Sequence, residues 1–138
     1  ALIYLELYAT PDKKAGIKQI AEQLDIPSPF LGKILQALAR QQLLGSTKGP
    51  HGGFYLKKSA IDITLMEIIE LMDGKDILNK CVIRTNPCDS ENPCSMHHKL
   101  APLRGEIKRL FVTETIADLV SEFREGKERI RSYESGIF

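Results

Sequence analysis

The sequence predicts a mainly α-helical chain with one small β-hairpin, and three observations support this fold class. Apolar residues recur at helical spacing along most of the 138 residues. Between residues 43 and 56 the pattern changes to two short strand-like runs around a glycine-rich segment. The three cysteines all lie between residues 81 and 94, and two adjacent histidines follow them. We therefore expect a helical scaffold that carries a hairpin and a cysteine-rich loop.

Two short amphipathic helices joined by a tight turn are predicted in the first half. The apolar face of the first helix consists of Ile17, Ile20, Ala21 and Leu24. Asp25-Ile26-Pro27 interrupts it, and Ser28 and Pro29 suit the N-cap and first position of the second helix. That helix has a buried stripe of Leu31, Ile34, Leu35 and Leu38 and an opposite face of Gly32, Lys33, Gln36 and Arg40. This is the layout of a helix-turn-helix, although an ordinary helical hairpin has the same pattern.

The hairpin that follows favours DNA binding, because a helix-turn-helix followed by a hairpin is a winged helix. Glycines at its tip, residues 48–53, allow the backbone to approach a phosphate or enter a minor groove. The tip lacks the Gly-Lys-Ser/Thr ending of a nucleotide-binding loop. Lys48 supplies positive charge, and His51 either contacts the DNA backbone or is simply solvated. The predicted DNA-binding residues are Ser28, Pro29, Lys33, Gln36, Lys48, Gly49, His51 and Gly52.

The charge distribution agrees with a polyanion-binding first half. Residues 1–60 contain eight Lys or Arg and four Asp or Glu, whereas residues 61–138 contain eleven and fourteen. No apolar stretch is long enough to span a membrane, so we expect a cytoplasmic protein without a membrane partner. The sequence shows neither paired catalytic carboxylates nor a nucleophile with its base. We therefore expect neither an enzyme nor a small-molecule substrate. An electron carrier is also disfavoured, because a wing has no role in electron transfer.

The cysteine-rich segment is the part of the chain most suited to metal or redox chemistry. An odd, tightly grouped set of three cysteines argues against a disulfide scaffold. Six residues separate Cys81 from Cys88, and five separate Cys88 from Cys94. These gaps are wider than the knuckles of common zinc sites and favour a loop around an iron–sulfur cluster. Because His97 would complete a tetrahedral set of three cysteines and one histidine, zinc stays an alternative, as do three reactive thiols.

The two Asn-Pro-Cys repeats of this segment, residues 86–88 and 92–94, predict stiff turns. Proline fixes its own φ and disfavours helix at the residue before it. Each repeat can therefore hold its cysteine on a non-helical turn.

Three helices are predicted in the second half. Thr64 and Glu67 form a capping box for a helix that ends near Gly74. A longer helix has the apolar stripe Leu100, Leu103, Ile107, Leu110 and Phe111, and its Pro102 requires the helix to begin close before it. A short last helix carries Ile116, Leu119, Val120 and Phe123, and the charged segment 124–131 is predicted to be solvated.

The chain resembles the IscR/NsrR/CymR-type winged-helix transcriptional regulators of bacteria. The resemblance rests on the sequence Ile-Pro-Ser-Pro-Phe-Leu at residues 26–31, on the wing at residues 46–54 and on the three-cysteine loop, in that order. It implies a dimer that binds a palindromic operator in double-stranded DNA, with the long helix at the dimer interface. It also implies a division into a winged helix-turn-helix domain (residues 1–75), a cluster-binding loop (76–98) and a dimerisation helix with a C-terminal helix (99–138).

The ending Cys94-Ser-Met-His97 is similar to that of the IscR branch, in which three cysteines and this histidine hold a [2Fe–2S] cluster. The resemblance thus implies the ligands Cys81, Cys88, Cys94 and His97, with His98 either a neighbour of the site or an alternative ligand. It favours [2Fe–2S] over [4Fe–4S]. In the NsrR branch, an acidic ligand for a [4Fe–4S] cluster comes from a segment that would precede Ala1. Gly32 stands where the IscR branch has an acidic residue that helps select DNA sites, so the target sequence is not implied.

Overall fold

A computed structural model describes residues 1–126 of the protein. Within this range it contains six α-helices and one two-stranded antiparallel sheet. The elements in chain order are α1 (Leu2–Tyr8), α2 (Ile17–Leu24), α3 (Ser28–Arg40), β1 (Leu44–Thr47), β2 (Gly53–Leu56), α4 (Leu65–Asp73), α5 (His97–Thr113) and α6 (Ile116–Arg124). None of the helices in this range is long and apolar enough to cross a bilayer. Most of the charged segment 124–131 and the end of the predicted C-terminal region, residues 99–138, lie outside the described residues.

The chain divides into two compact units. The first contains residues 1–63 together with residues 116–126, and the second contains residues 64–115. Every fully buried apolar side chain in the described part of the chain belongs to the first unit, including Leu5, Ile20, Leu35, Leu43 and Ile63. The three functional regions predicted from the sequence, residues 1–75, 76–98 and 99–138, stay a prediction.

The helix-turn-helix forms as its apolar spacing predicts. Asp25 ends α2 in the left-handed conformation, with φ 54°, which the short side chain of Asp tolerates. The N–H of Ile26 then donates to the Ala21 carbonyl at 3.0 Å and closes the helix end. On α3 the side chains of Leu31, Leu35 and Leu38 are buried, while Ile34 is only partly buried.

Two details of α3 differ from the sequence prediction. Pro27, and not Ser28, is the N-cap, because the Pro27 carbonyl already accepts the N–H of Leu31 at 3.0 Å. Gly32 does not lie on the exposed face: it is buried against α2, where an added Cβ would lie 3.6 Å from Ile17 Cδ1. The exposed residues of α3 are therefore Pro29, Phe30, Lys33, Gln36 and Arg40.

The hairpin is tied to the start of α2 by a third extended segment. Strands β1 and β2 pair from Leu44 with Leu56 to Thr47 with Gly53. Ala15 adds a bridge to Phe54, in which its N–H donates to the Phe54 carbonyl at 3.0 Å and its carbonyl accepts the Phe54 N–H at 2.8 Å. This bridge sets the position of the wing relative to α2.

Gly53 is required for this close approach. Its φ is +149°, and a Cβ at this position would lie 2.6 Å from the Ala15 carbonyl oxygen, which is a backbone atom that cannot rotate away. We expect Gly53→Ala to lower the free energy of unfolding by about 1–3 kcal/mol, as for other strained backbone positions. Denaturant unfolding followed by circular dichroism measures this change.

Gly16→Ala is the matched control for that measurement. Gly16 is the N-cap of α2 with φ −77°, and nothing lies within 4 Å of a Cβ placed on it. Because the cost there is only the weaker capping preference of alanine, we expect a loss below about 1 kcal/mol. Equal losses in the two variants would contradict the proposed role of the Ala15 contact.

In the second unit, α4 packs against α5. The hydroxyl of Thr64 accepts the N–H of Glu67 at 3.2 Å, which confirms the predicted N-cap, and α4 ends at Gly74 as predicted. Helix α5 begins at His97, so Pro102 lies inside the helix. The helix thus starts more than one turn before the proline, and not close before it as the sequence suggested. The cost of Pro102 is the missing N–H that an α-helix would otherwise bond to the carbonyl of residue 98.

Candidate nucleic-acid interface and metal centre

The exposed face of α3 presents polar and basic side chains one helical turn apart. Lys33, Gln36 and Arg40 follow each other at intervals of three and four residues and are all exposed. Pro29 is exposed at the start of the helix, whereas Ser28 is partly buried. A face of this kind can contact base edges and phosphates along a major groove.

The wing exposes Lys48, Gly49 and His51 at its tip, and Gly52 is partly buried. The N–H of Gly52 donates to the Gly49 carbonyl at 2.9 Å and closes the turn. A Cβ on Gly52 would lie 2.3 Å from the Thr47 carbonyl oxygen, so the hairpin itself excludes a side chain there. The fold of the wing is therefore sufficient to explain this glycine, with or without a nearby phosphate.

A groove separates the wing from α3. Its volume is about 940 Å³, and the start of α2, the second half of α3 and the stem of the wing line it. The lining includes the cations Lys18, Arg40 and Lys48 and contains no acidic residue of the described chain. Such a surface has the charge and the concave shape to accept an anionic chain.

The structure brings together only part of the predicted DNA-binding set. Gln36, Lys48, Gly49 and Gly52 line the groove, whereas Ser28, Pro29, Lys33 and His51 do not. Lys18 and Arg40 also line the groove, although neither is among the DNA-binding residues predicted from the sequence. The sequence does contain a feature that singles out Lys18. It lies in the first turn of α2, which has no acidic residue, and the helix dipole disfavours a cation at that position. A lysine placed there despite this cost is a candidate for binding an anion.

The four predicted cluster ligands lie in two pairs. Cys81 Sγ is 3.9 Å from Cys94 Sγ, and Cys88 Sγ is 3.1 Å from His97 Nδ1. The three cysteines are unbridged and partly buried. No three His, Cys, Asp or Glu side chains within residues 1–126 converge on one point suited to a single metal ion. The arrangement is thus two separate two-ligand groups.

The loop between α4 and α5 is non-helical around its cysteines, as its prolines predict. Lys80 and Pro87 form an isolated bridge, and the N–H of Cys88 donates to the Asn79 carbonyl at 2.8 Å. The N–H of Arg84 donates to Cys81 Sγ at 3.4 Å. Together with the N–H of Ile83, it lowers the pKa of the Cys81 thiol, which favours the thiolate form that binds metals.

Helix α5 holds the loop from the other side. His97 is its first residue, and its N–H donates to the Cys94 carbonyl at 2.9 Å. The Arg104 guanidinium donates to the Lys80 carbonyl at 2.6 Å, one residue before the first cysteine. Hydrogen bonds therefore connect α5 to the loop just before its first cysteine and at its last cysteine.

One face of α5 is apolar and uncovered. The five-residue stripe predicted from the sequence is divided in the structure: Leu100 and Phe111 are partly buried, while Leu103, Ile107 and Leu110 are 58%, 41% and 51% exposed. Large apolar side chains in a row on a helix surface indicate a surface that another protein covers.

Comparison with known protein families gives a match over most of the chain. Residues 1–122 match the model of the Rrf2 family, described as iron-dependent transcriptional regulators. An HTH-type transcriptional regulator of Aquifex aeolicus is 37% identical over 123 residues, covering 88% of this chain and 84% of that protein. The HTH-type transcriptional regulator NsrR of Oceanobacillus iheyensis is 27% identical over 112 residues, covering 80% and 76%.

Solved structures of the same fold are also similar. T. potens IscR superposes with a TM-score of 0.70 at 19% identity, covering 93% of this chain and 83% of that chain. CymR, the global cysteine regulator of B. subtilis, superposes with a TM-score of 0.67 at 22% identity, covering 87% of each chain. These likenesses confirm the predicted fold, a mainly helical winged helix with a small hairpin.

Proposed function

Because the chain belongs to the Rrf2 family and is a DNA-binding transcriptional regulator rather than an enzyme, we propose that it acts as a cytoplasmic homodimer on a palindromic operator. We further propose that it senses iron–sulfur status, nitric oxide or redox state through a cluster in the cysteine loop. The pairwise placement of the four candidate ligands carries the second proposal. Absorption spectra of freshly purified protein under anaerobic and aerobic conditions, with iron, sulfide and zinc assays, test it.

The positions of α3 and the wing support the proposed DNA-binding surface. If α3 enters a major groove and the wing reaches the adjacent minor groove, the phosphate strand between the two grooves must pass between them. The groove lined by Lys18, Arg40 and Lys48 lies in that place. We therefore add Lys18 and Arg40 to the predicted contacts, as phosphate-binding residues that carry no base specificity.

Single alanine substitutions at Lys33, Lys48, Lys18 and Arg40 are expected to weaken operator binding. Each lost phosphate contact should reduce the slope of log affinity against log salt concentration by about 0.9. A residue that contacts a base edge should instead change the preference for one base pair of the operator. Fluorescence anisotropy with labelled operator DNA at several salt concentrations measures both effects.

Lys13→Ala is the matched control, since Lys13 is exposed on the same unit and lies outside the groove. Its salt slope should equal that of the wild type. Unchanged affinity and slope for both Lys48→Ala and Lys33→Ala would contradict the winged-helix docking. If only Lys18→Ala and Arg40→Ala left operator affinity and salt slope unchanged, the phosphate strand would not pass through the groove.

The dimer proposal rests on the uncovered face of α5. The second unit contributes none of the fully buried apolar residues in the described chain, yet it carries Leu103, Ile107 and Leu110 on its surface. A twofold pairing of α5 with the same helix of a second copy would cover these side chains. A twofold dimer would then match a palindromic operator, with half-sites about 34 Å apart.

The cluster proposal rests on ligand geometry. Two thiolates about 2.3 Å from one tetrahedral metal lie roughly 3.8 Å apart, and Cys81 Sγ and Cys94 Sγ are 3.9 Å apart. In a [2Fe–2S] cluster each iron takes two protein ligands, so four ligands in two pairs suit it. Cys81, Cys88, Cys94 and His97 would hold the cluster, which would supply a centre that changes with oxidants or nitric oxide. A single structural zinc needs four convergent ligands and is less well supported by the two pairs.

A further inference from the structure

Two of the three thiols in the cysteine loop lie close enough to react with each other. Cys81 Sγ and Cys94 Sγ are 3.9 Å apart, and both side chains are partly exposed. A disulfide needs about 2.05 Å between its sulfur atoms. The remaining distance can be closed by side-chain rotation and small backbone shifts, because both cysteines lie in non-helical backbone.

Arg84 holds these two thiols near each other without help from a metal. Its backbone N–H donates to Cys81 Sγ at 3.4 Å, and its Nη1 donates to the Asn92 carbonyl at 3.0 Å, two residues before Cys94. One residue thus connects the two arms of the loop that carry the reactive pair.

The third thiol is engaged elsewhere. Cys88 Sγ lies 3.1 Å from His97 Nδ1, and its backbone N–H is bonded to the Asn79 carbonyl. Both contacts hold Cys88 at the start of α5 and at the bridged stem of the loop. The loop therefore distinguishes one pair of thiols from the remaining cysteine.

We propose that Cys81 and Cys94 form a redox modification site in the cluster-free protein, which takes small-molecule disulfides as oxidants and leaves Cys88 reduced. In the first step, the thiolate of one cysteine attacks a sulfur of oxidised glutathione. The S–S bond of glutathione breaks, a glutathione thiolate leaves, and a mixed disulfide forms. The second cysteine then attacks the protein sulfur of the mixed disulfide and releases a second glutathione. Two electrons pass from the cysteine pair to glutathione disulfide, and the two thiol protons pass to solvent or to the released glutathione.

The bond would occupy two of the four ligands proposed for the cluster. The oxidised protein should therefore take up no cluster until it is reduced, and this consequence rests on the proposed function. The pairing of the cysteines does not, because it requires only the positions of the thiols.

Disulfide mapping of the full chain tests the pairing. Cluster-free protein is treated with oxidised glutathione, its remaining thiols are blocked with N-ethylmaleimide, and it is digested without reduction. Cleavage after Lys80, Arg84, Glu91 and Lys99 places each cysteine on a separate peptide, residues 81–84, 85–91 and 92–99. Mass spectrometry should find peptide 81–84 linked to peptide 92–99, with N-ethylmaleimide on Cys88. Comparable amounts of any disulfide that includes Cys88 would overturn the proposal.

Four variants sharpen this experiment. Cys88→Ala should form the same cross-link in the same yield, and Cys94→Ala should stop at the mixed disulfide with glutathione. Arg84→Ala should slow cross-linking several-fold; because this variant loses the cleavage site at residue 84, fragmentation of peptide 81–91 shows which of its two cysteines is linked. Arg109→Ala, which removes an exposed arginine of α5 paired with Glu106, should leave the rate unchanged. Equal rates for the two arginine variants would remove Arg84 from the proposal. A protein that contains no iron would refute the cluster, yet the same mapping would still decide the pairing.

Discussion

Cys88→Ala is expected to remove the visible absorption of the cluster while the helical content and the dimer stay intact. Cys88 lies in a non-helical loop, outside the buried core of the first unit, so its side chain contributes little to folding. Its loss leaves three candidate ligands, and a thiolate held by the loop is not easily replaced by water. Absorption spectra, iron and sulfide assays and circular dichroism measure these outcomes.

Operator affinity should change in the same variant, because the loop is bonded to α5. His97 begins this helix, and Arg104 donates from it to the Lys80 carbonyl. If α5 forms the dimer contact, the order of the loop influences how the two DNA-binding units of the dimer are spaced. Coupling between such sites is typically about 1–3 kcal/mol, which is roughly 5- to 150-fold in affinity. Linkage also requires operator DNA to change the stability of the cluster by the same factor.

Two histidine variants serve as comparisons. His97→Ala should give a labile or spectrally altered cluster, since water or His98 can replace a nitrogen ligand more readily than a thiolate is replaced. His98→Ala should keep the wild-type spectrum, because His98 lies outside the proposed ligand set. Full absorption in Cys88→Ala would show that the ligands are wrong. Equal operator affinity of cluster-loaded and cluster-free protein would reduce the loop to a structural or storage site.

Ile107→Glu and Leu110→Glu are expected to convert the dimer into monomers. Each change would bury an unpaired carboxylate in the proposed interface, and the twofold axis would do so twice. Removing the partner of a buried charge costs about 3–5 kcal/mol, and about 3 kcal/mol already raises a dissociation constant roughly 100-fold. Because both side chains are substantially exposed in the single chain, the fold of the subunit should be unaffected. Sedimentation velocity over a range of concentrations measures the change.

Val112→Glu is the matched control for the dimer. Val112 is 56% exposed on the same helix, and at about 100° per residue it points to the side of α5 opposite Leu103, Ile107 and Leu110. Its substitution should leave the dimer intact. A dimer that survived both Ile107→Glu and Leu110→Glu would place the interface on another surface, and loss of the dimer only in Val112→Glu would place it on the opposite face of α5.

The sequence by itself determined the features that depend on neighbouring residues. The apolar spacing of α2 and α3, the cap at Thr64, the stop at Gly74 and the hairpin around residues 48–52 all arise from local preferences, and the structure contains each of them. Local preferences are sufficient to predict these elements because each element is short and its periodicity shows which side is apolar. The cysteine spacing likewise identified the loop as the candidate for metal or redox chemistry.

Only the tertiary structure decided which of these residues meet. The spacing of α3 predicted Gly32 on its exposed face, but α2 packs there, and the spacing of α3 does not encode this contact. The groove joins Lys18, Arg40 and Lys48 from three separate elements, and α4 covers one side of α5 while it leaves Ile107 exposed. The pairing of Cys81 with Cys94, and of Cys88 with His97, depends on how the loop folds back on itself through Arg84 and α5. Contacts between residues far apart in the chain depend on packing, which a local pattern does not determine.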